Sequence, residues 1–251
     1  MPDSLDENNQ KLEPLASRRP ADVPEVIEVL RAIATTAAET EAGQGDGIAC
    51  FSRLYTTITE DVVKEWRAGE LFRCGQFILE LDLTFAQRYL DALDAWLHGR
   101  ETPACWRILF ERRQQDRAEW RFAVVGVNAH VNFDLAFALL DVWEDHPDDP
   151  LSTADEQRDD YQAINTIFRN NMDQLCEDNG APWTRWGKLL RDGGIVDRIA
   201  NRGGDMLVQR TREVAWDKAI ELWPSHERDG YRDEASRELD EDAGDIADLV
   251  I

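Results

Sequence analysis

Four polar side chains interrupt an apolar run at every second position in the stretch GVNAHVNFDLAFALL, Gly126 to Leu140: Asn128, His130, Asn132 and Asp134. An imidazole four residues from a carboxylate can be held by it and made more basic, which suits proton transfer. The same pair can ligate a divalent metal with help from another helix. It can also simply tie two helices together through a hydrogen bond. All three readings stand at this level. In the proton-transfer reading His130 moves the proton, Asp134 orients it and Asn128 holds a substrate oxygen.

The run is apolar enough to be a buried helix. At about 100° per residue, Asn128 and Asn132 share one face, near 0° and about 40°. His130 and Asp134 fall near 200° and about 240°, with Phe137 continuing that side. Alternation in sequence thus becomes two polar stripes on opposite sides of one helix. Buried polar groups cost about 1–3 kcal/mol each if left unpaired, so each stripe must meet partners or a ligand. Gly126 and Ala129 are small enough to let another helix, or a ligand, come close.

A second constellation lies in LDLTFAQRYLDAL. Asp82, Phe85 and Tyr89 recur at helical spacing, with Arg88 alongside. Asp82 reads either as a second acid facing the His130 stripe or as one half of an Asp–Arg pair. Phe85, Tyr89 and Phe137 would give a pocket an apolar wall. Near the C-terminus, QRTREVAWDKAIELW places Arg212 and Trp216 four apart. That pair reads as cation–π packing, or as a holder for an anionic substrate group.

The elements that must position these groups read as helices throughout. Val26, Val29, Leu30 and Ile33 keep helical spacing in the first one. Phe51, Leu54, Tyr55 and Ile58 share a face in the second, with a new helix capped at Thr59. The long stretch from Pro103 to Glu144 is two helices or one bent one. An acidic connection, DHPDDPLSTADEQRDD, follows, then helices over Tyr161–Cys176, Thr184–Asn201 and Asp205–Trp223. The expectation is an all-α, single-domain multi-helix bundle of about seven to nine helices, with a buried central helix near 121–144. A mobile tail is expected over 1–20, the helical domain over 21–224, and an acidic tail over 225–251, where ten acids face three arginines.

Charge bounds the partners. A formal net charge of −23 disfavours phosphate backbones and anionic membranes. The N-terminus has no basic segment followed by an apolar one, and no apolar run approaches the roughly 20 residues of a membrane span. The expectation is a cytoplasmic protein with a small-molecule substrate and neither nucleic acid nor membrane as partner. The sequence does not fix its oligomeric state.

Other chemistries lack their signatures. The four cysteines form no CxxC pair. There is no GxSxG elbow, P-loop, GxGxxG or HExxH, and neither DDPLS nor DDYQA carries the third acid of a diphosphate-binding motif. No cofactor is required, although a divalent metal held by His130, Asp134 and Asp82 remains an alternative. The reading is a small-molecule enzyme of lyase, isomerase or cyclase type, of the kind used in specialised metabolism. A metal-assisted hydrolase and a non-catalytic binding protein are the alternatives.

Five strings, DGIACFSRLYTTIT, LDLTFAQRYLDAL, GVNAHVNFDLAFAL, RDDYQAIN and REVAWDKAIEL, resemble an uncharacterised all-helical family of unknown function marked by an NAHxNxDL motif. The resemblance spans most of residues 25–223 and implies a helical domain of that extent. It implies no reaction. Val131 stands where isoleucine is the expected residue.

Overall fold

The computed structural model describes residues 4–145, 154–178 and 204–251. It is all-helical, as the sequence predicts. Nine helices occupy the described residues: α1 (Ser4–Ala16), α2 (Val23–Ala37), α3 (Gly47–Ala68), α4 (Gly75–Leu97), α5 (Ala104–Glu111), α6 (Glu119–Glu144), α7 (Ala154–Asp178), α8 (Gly204–Leu222) and α9 (Asp233–Val250). The helix expected over Thr184–Asn201 lies outside the described residues.

The long α6 is the centre. It packs against α3, α4, α5, α8 and α9, and nearly all its residues from Phe122 to Leu140 are buried. By length and composition α6 could cross a membrane, contrary to the expectation that no apolar run comes close. Here 94% of its apolar window is covered by the rest of the fold. A helix apolar on every side needs such a sheath. Close approach to α3 depends on Gly126, where a methyl group would collide with the Phe51 ring.

α6 is not regular. Its backbone widens into a single π turn over His130–Asp134 before resuming as an α-helix at Leu135. The extra residue shifts everything after it around the axis, so the stripes of an ideal helix hold only approximately. Such π turns commonly occur at functional sites.

Both expected tails are corrected. Residues 4–16 form a helix that buries Asn8, Leu12 and Ala16, spaced every fourth residue, against α2 and α4. Residues 233–250 form α9, which buries Ala235, Ala243, Ile246, Ala247 and Val250 against α5 and α6. The acids in between made the segment look solvated, but they lie mostly on the outer face of an amphipathic helix. One of them points inward. Asp240 accepts from the amides of Ala104 (2.8 Å) and Cys105 (3.0 Å), satisfying the N-terminus of α5.

Two further carboxylates do the same work. Asp160 on α7 accepts from the amides of Arg73 (2.9 Å) and Cys74 at the start of α4. Asp46 caps α3 through the amides of Ile48 (2.9 Å) and Ala49 (3.2 Å). Its second oxygen takes the Arg113 Nε–H at 2.7 Å, while Arg113 reaches Asn8 and Asn9 of α1. α3 then runs unbroken to Ala68. Thr59 lies buried inside it and starts no helix. Likewise α7 starts at Ala154, within the segment expected to be a connection.

Candidate functional site

The π turn holds the imidazole–carboxylate couple. His130 Nδ1–H donates to Asp134 Oδ2 at 3.1 Å, across one turn of helix. The same oxygen accepts from Trp106 Nε1–H of α5 at 2.9 Å. Oδ1 lies 3.4 Å from Arg88 Nε of α4. An indole N–H can only donate, so Asp134 Oδ2 is the acceptor in that bond. With Nδ1 committed as donor, the neutral imidazole carries its lone pair on Nε2.

Aromatic rings fix the plane of His130. Phe85 stacks face to face on it at 3.3 Å between centroids, and Tyr55 meets it edge-on at 4.7 Å. Burial pushes the imidazole below its ordinary value, because a charged ring would lose its hydration. Asp134 pulls in the opposite direction and does not prevail. His130 is therefore neutral at physiological pH.

Among the described residues Nε2 itself has no hydrogen-bond partner. It belongs to a side chain lining an apolar hollow between α3, α4, α6, α7 and α8. The hollow gives the centre of a water-sized sphere about 60 Å³ in which to move. A single water needs about 10–15 Å³ on that measure, so the hollow has room for several waters or for a compact organic guest. Leu54, Ile78, Val131 and Phe168 are among its apolar walls.

Three more unpartnered polar atoms belong to side chains lining this hollow: Tyr55 Oη, Asp82 Oδ2 and Arg212 Nε. Each such orphan costs about 1–3 kcal/mol unless water or a guest satisfies it. Asp82 has no cation beside it among the described residues. Burial alone raises its carboxyl to about 7. The Tyr55 phenol is held well above its usual range, first by burial and then by the charges of Asp82 and Asp134. Arg212 donates from Nη2 to the Tyr161 carbonyl at 3.0 Å and lies over the Tyr161 ring at 4.2 Å.

The structure thus gathers His130, Asp82, Phe85 and Arg212 around one cavity, with Asp134 behind His130. It places the remaining predicted residues elsewhere. Asn128 donates to the Ala243 carbonyl at 2.7 Å and accepts from Asn132, joining α6 to α9. Tyr89 is fully buried and shares a hydrogen bond with Ser52 at 2.9 Å. Arg88 bridges Asp134 and Asp141, and lies over the Phe137 ring, so both are supports rather than lining. The aromatic partner of Arg212 is Tyr161, not Trp216. Trp216 instead packs on Tyr161 and Trp143.

A metal set does not assemble from the residues named for it. Asp134 is occupied by Trp106, His130 and Arg88. Among the described residues no three His, Cys, Asp or Glu side chains converge as ligands.

Two members of the site went unrecognised in the sequence. Tyr55 was visible only as one residue of an apolar face. Its phenol four positions from Phe51 was the available signal. Trp106 gave none, because its donor role depends on how α5 crosses the π turn.

No curated protein and no solved structure matches the chain. A family model described as a family of unknown function (DUF5995) matches residues 23–251, which includes the acidic C-terminal helix. The chain belongs to that family.

Proposed function

We propose that the protein is a small-molecule enzyme using acid–base chemistry on a largely apolar substrate, in a dehydration, isomerisation or ring closure. The observation that carries this reading is the unpartnered Nε2 of a neutral, carboxylate-held His130 on the same cavity as the unpaired Asp82 carboxyl. Nε2 takes a proton from carbon, and the electron pair moves toward a substrate oxygen. Tyr55 Oη–H and protonated Asp82 are the donors available to that oxygen. Asp134 stabilises the imidazolium that forms. An acid near 7 and a base below its ordinary value are both in their working forms near neutral pH.

The apolar lining would serve a non-catalytic binding protein equally well. The two readings separate on turnover. A panel of small apolar ketones, aldehydes and carboxylic acids is incubated with the protein in deuterium oxide, and exchange at carbon is followed by NMR. The enzyme reading expects exchange or isomerisation of at least one compound, falling about 100-fold or more in His130→Gln. Binding without any His130-dependent exchange supports the binding protein instead.

A further inference from the structure

Arg212 gives the hollow a chemical preference that its apolar walls do not. The side chain is 4% exposed and lines the cavity. Its described bonds go to the neutral backbone carbonyl and ring of Tyr161, and Tyr161 Oη–H donates back to the Arg212 carbonyl at 2.6 Å. Among the described residues no carboxylate pairs with it, and its Nε has no hydrogen-bond partner. A guanidinium stays charged even when burial opposes it. A buried cation without a counter-ion is among the costliest arrangements a fold can keep.

Asp82, the carboxyl group on the same cavity, does not fill this role. Among the described residues no ion pair joins it to Arg212, and its own Oδ2 has no hydrogen-bond partner. The lining therefore carries a guanidinium from α8 and the acid–base groups Asp82 and His130 from α4 and α6, among mostly apolar side chains.

We infer that the natural ligand is a small apolar carboxylic acid, bound as its anion, with the carboxylate on Arg212 and the hydrocarbon body against the walls toward His130. Nε–H and the adjacent guanidinium N–H groups suit a planar carboxylate. Turnover is not required for this, only that the hollow receives a ligand, as in the proposed function.

Calorimetric titration of the full chain with hexanoate and phenylacetate, against hexanamide and phenylacetamide, tests it. Each acid should bind about tenfold or more tightly than its amide. Arg212→Met should abolish that preference while amide binding persists, and Arg212→Lys should keep part of it. The wild-type comparison stands even if a variant fails to fold. Equal affinities for acid and amide, no binding of either, or a preference that survives Arg212→Met overturns the assignment. If His130-dependent exchange occurs without a carboxylate preference, the carboxylate assignment falls and the acid–base reading stands. A carboxylate preference with no exchange on any compound leaves the assignment standing and removes the enzyme.

Discussion

At the scale of single residues, the proposed function separates groups that would act from groups that hold. His130, Asp82 and Tyr55 line a cavity and each carries an unpartnered atom; Asp134, Trp106, Arg88 and Phe85 fix where His130 stands. The acting groups carry a stability cost with a definite pH signature. Asp82 titrates near about 7 in the fold and at the ordinary 3.8 when exposed. Between those values the folded state keeps a proton that the unfolded chain has released, so stability falls as pH rises through that window. His130 works from the acid side: below its usual 6.5 the unfolded chain takes up a proton that the folded one refuses. Asp82→Asn removes the first effect. It should gain stability over wild type as pH climbs from about 4 to about 7, while losing any proton-transfer activity. Urea unfolding at a series of pH values measures this. A variant weaker than wild type by the same amount at every pH would mean that Asp82 is ionised and paired.

At the scale of elements, what could be read in advance was periodicity, and what could not was crossing geometry. The apolar spacing of α2, α3 and α4 predicted helices that the structure contains, and the near-unbroken apolar run of α6 predicted its central place. The pairing of His130 with Asp134 followed from a spacing of four. The π turn left no mark in composition, because it depends on how α6 accommodates α3 and α5 together. Asn128 illustrates the consequence. Its place on a polar stripe suggested a substrate contact, yet its partner is a carbonyl of α9, a helix whose packing the acid count concealed. Close approach of α3 and α6 at Gly126 supplies the second prediction. Gly126→Ala must push back the Phe51 ring, which also borders His130 at 5.7 Å. A loss of about 1–3 kcal/mol in chemical unfolding is expected, despite alanine's better helix propensity. A gain in stability would show that the ring moves freely.

At the scale of the whole molecule, three carboxylates far apart in sequence, Asp46, Asp160 and Asp240, each seat the N-terminus of a helix. They are taken up by helix amides and, for Asp46, by Arg113 as well, so the net charge of the chain said little about them. α9 is the plainest case. Besides Asp240, its end accepts from Arg121 at the Val250 carbonyl (2.7 Å) and from Arg112 at the Ile251 oxygen (2.8 Å). Deleting residues 233–251 should therefore abolish cooperative unfolding or cut stability by several kcal/mol, as followed by circular dichroism. A disordered tail could be removed without effect. These contacts, through α6, also hold the frame in which His130 faces the hollow, and that orientation is the claim on which the functional account depends. Nitrogen-15 NMR of histidine-labelled protein tests it most directly. At neutral pH the His130 Nδ1 resonance should report a proton and Nε2 a free lone pair, and adding hexanoate should shift Nε2. A protonated Nε2, or an Nε2 resonance unmoved by every small acid, ketone and aldehyde tried, would contradict it.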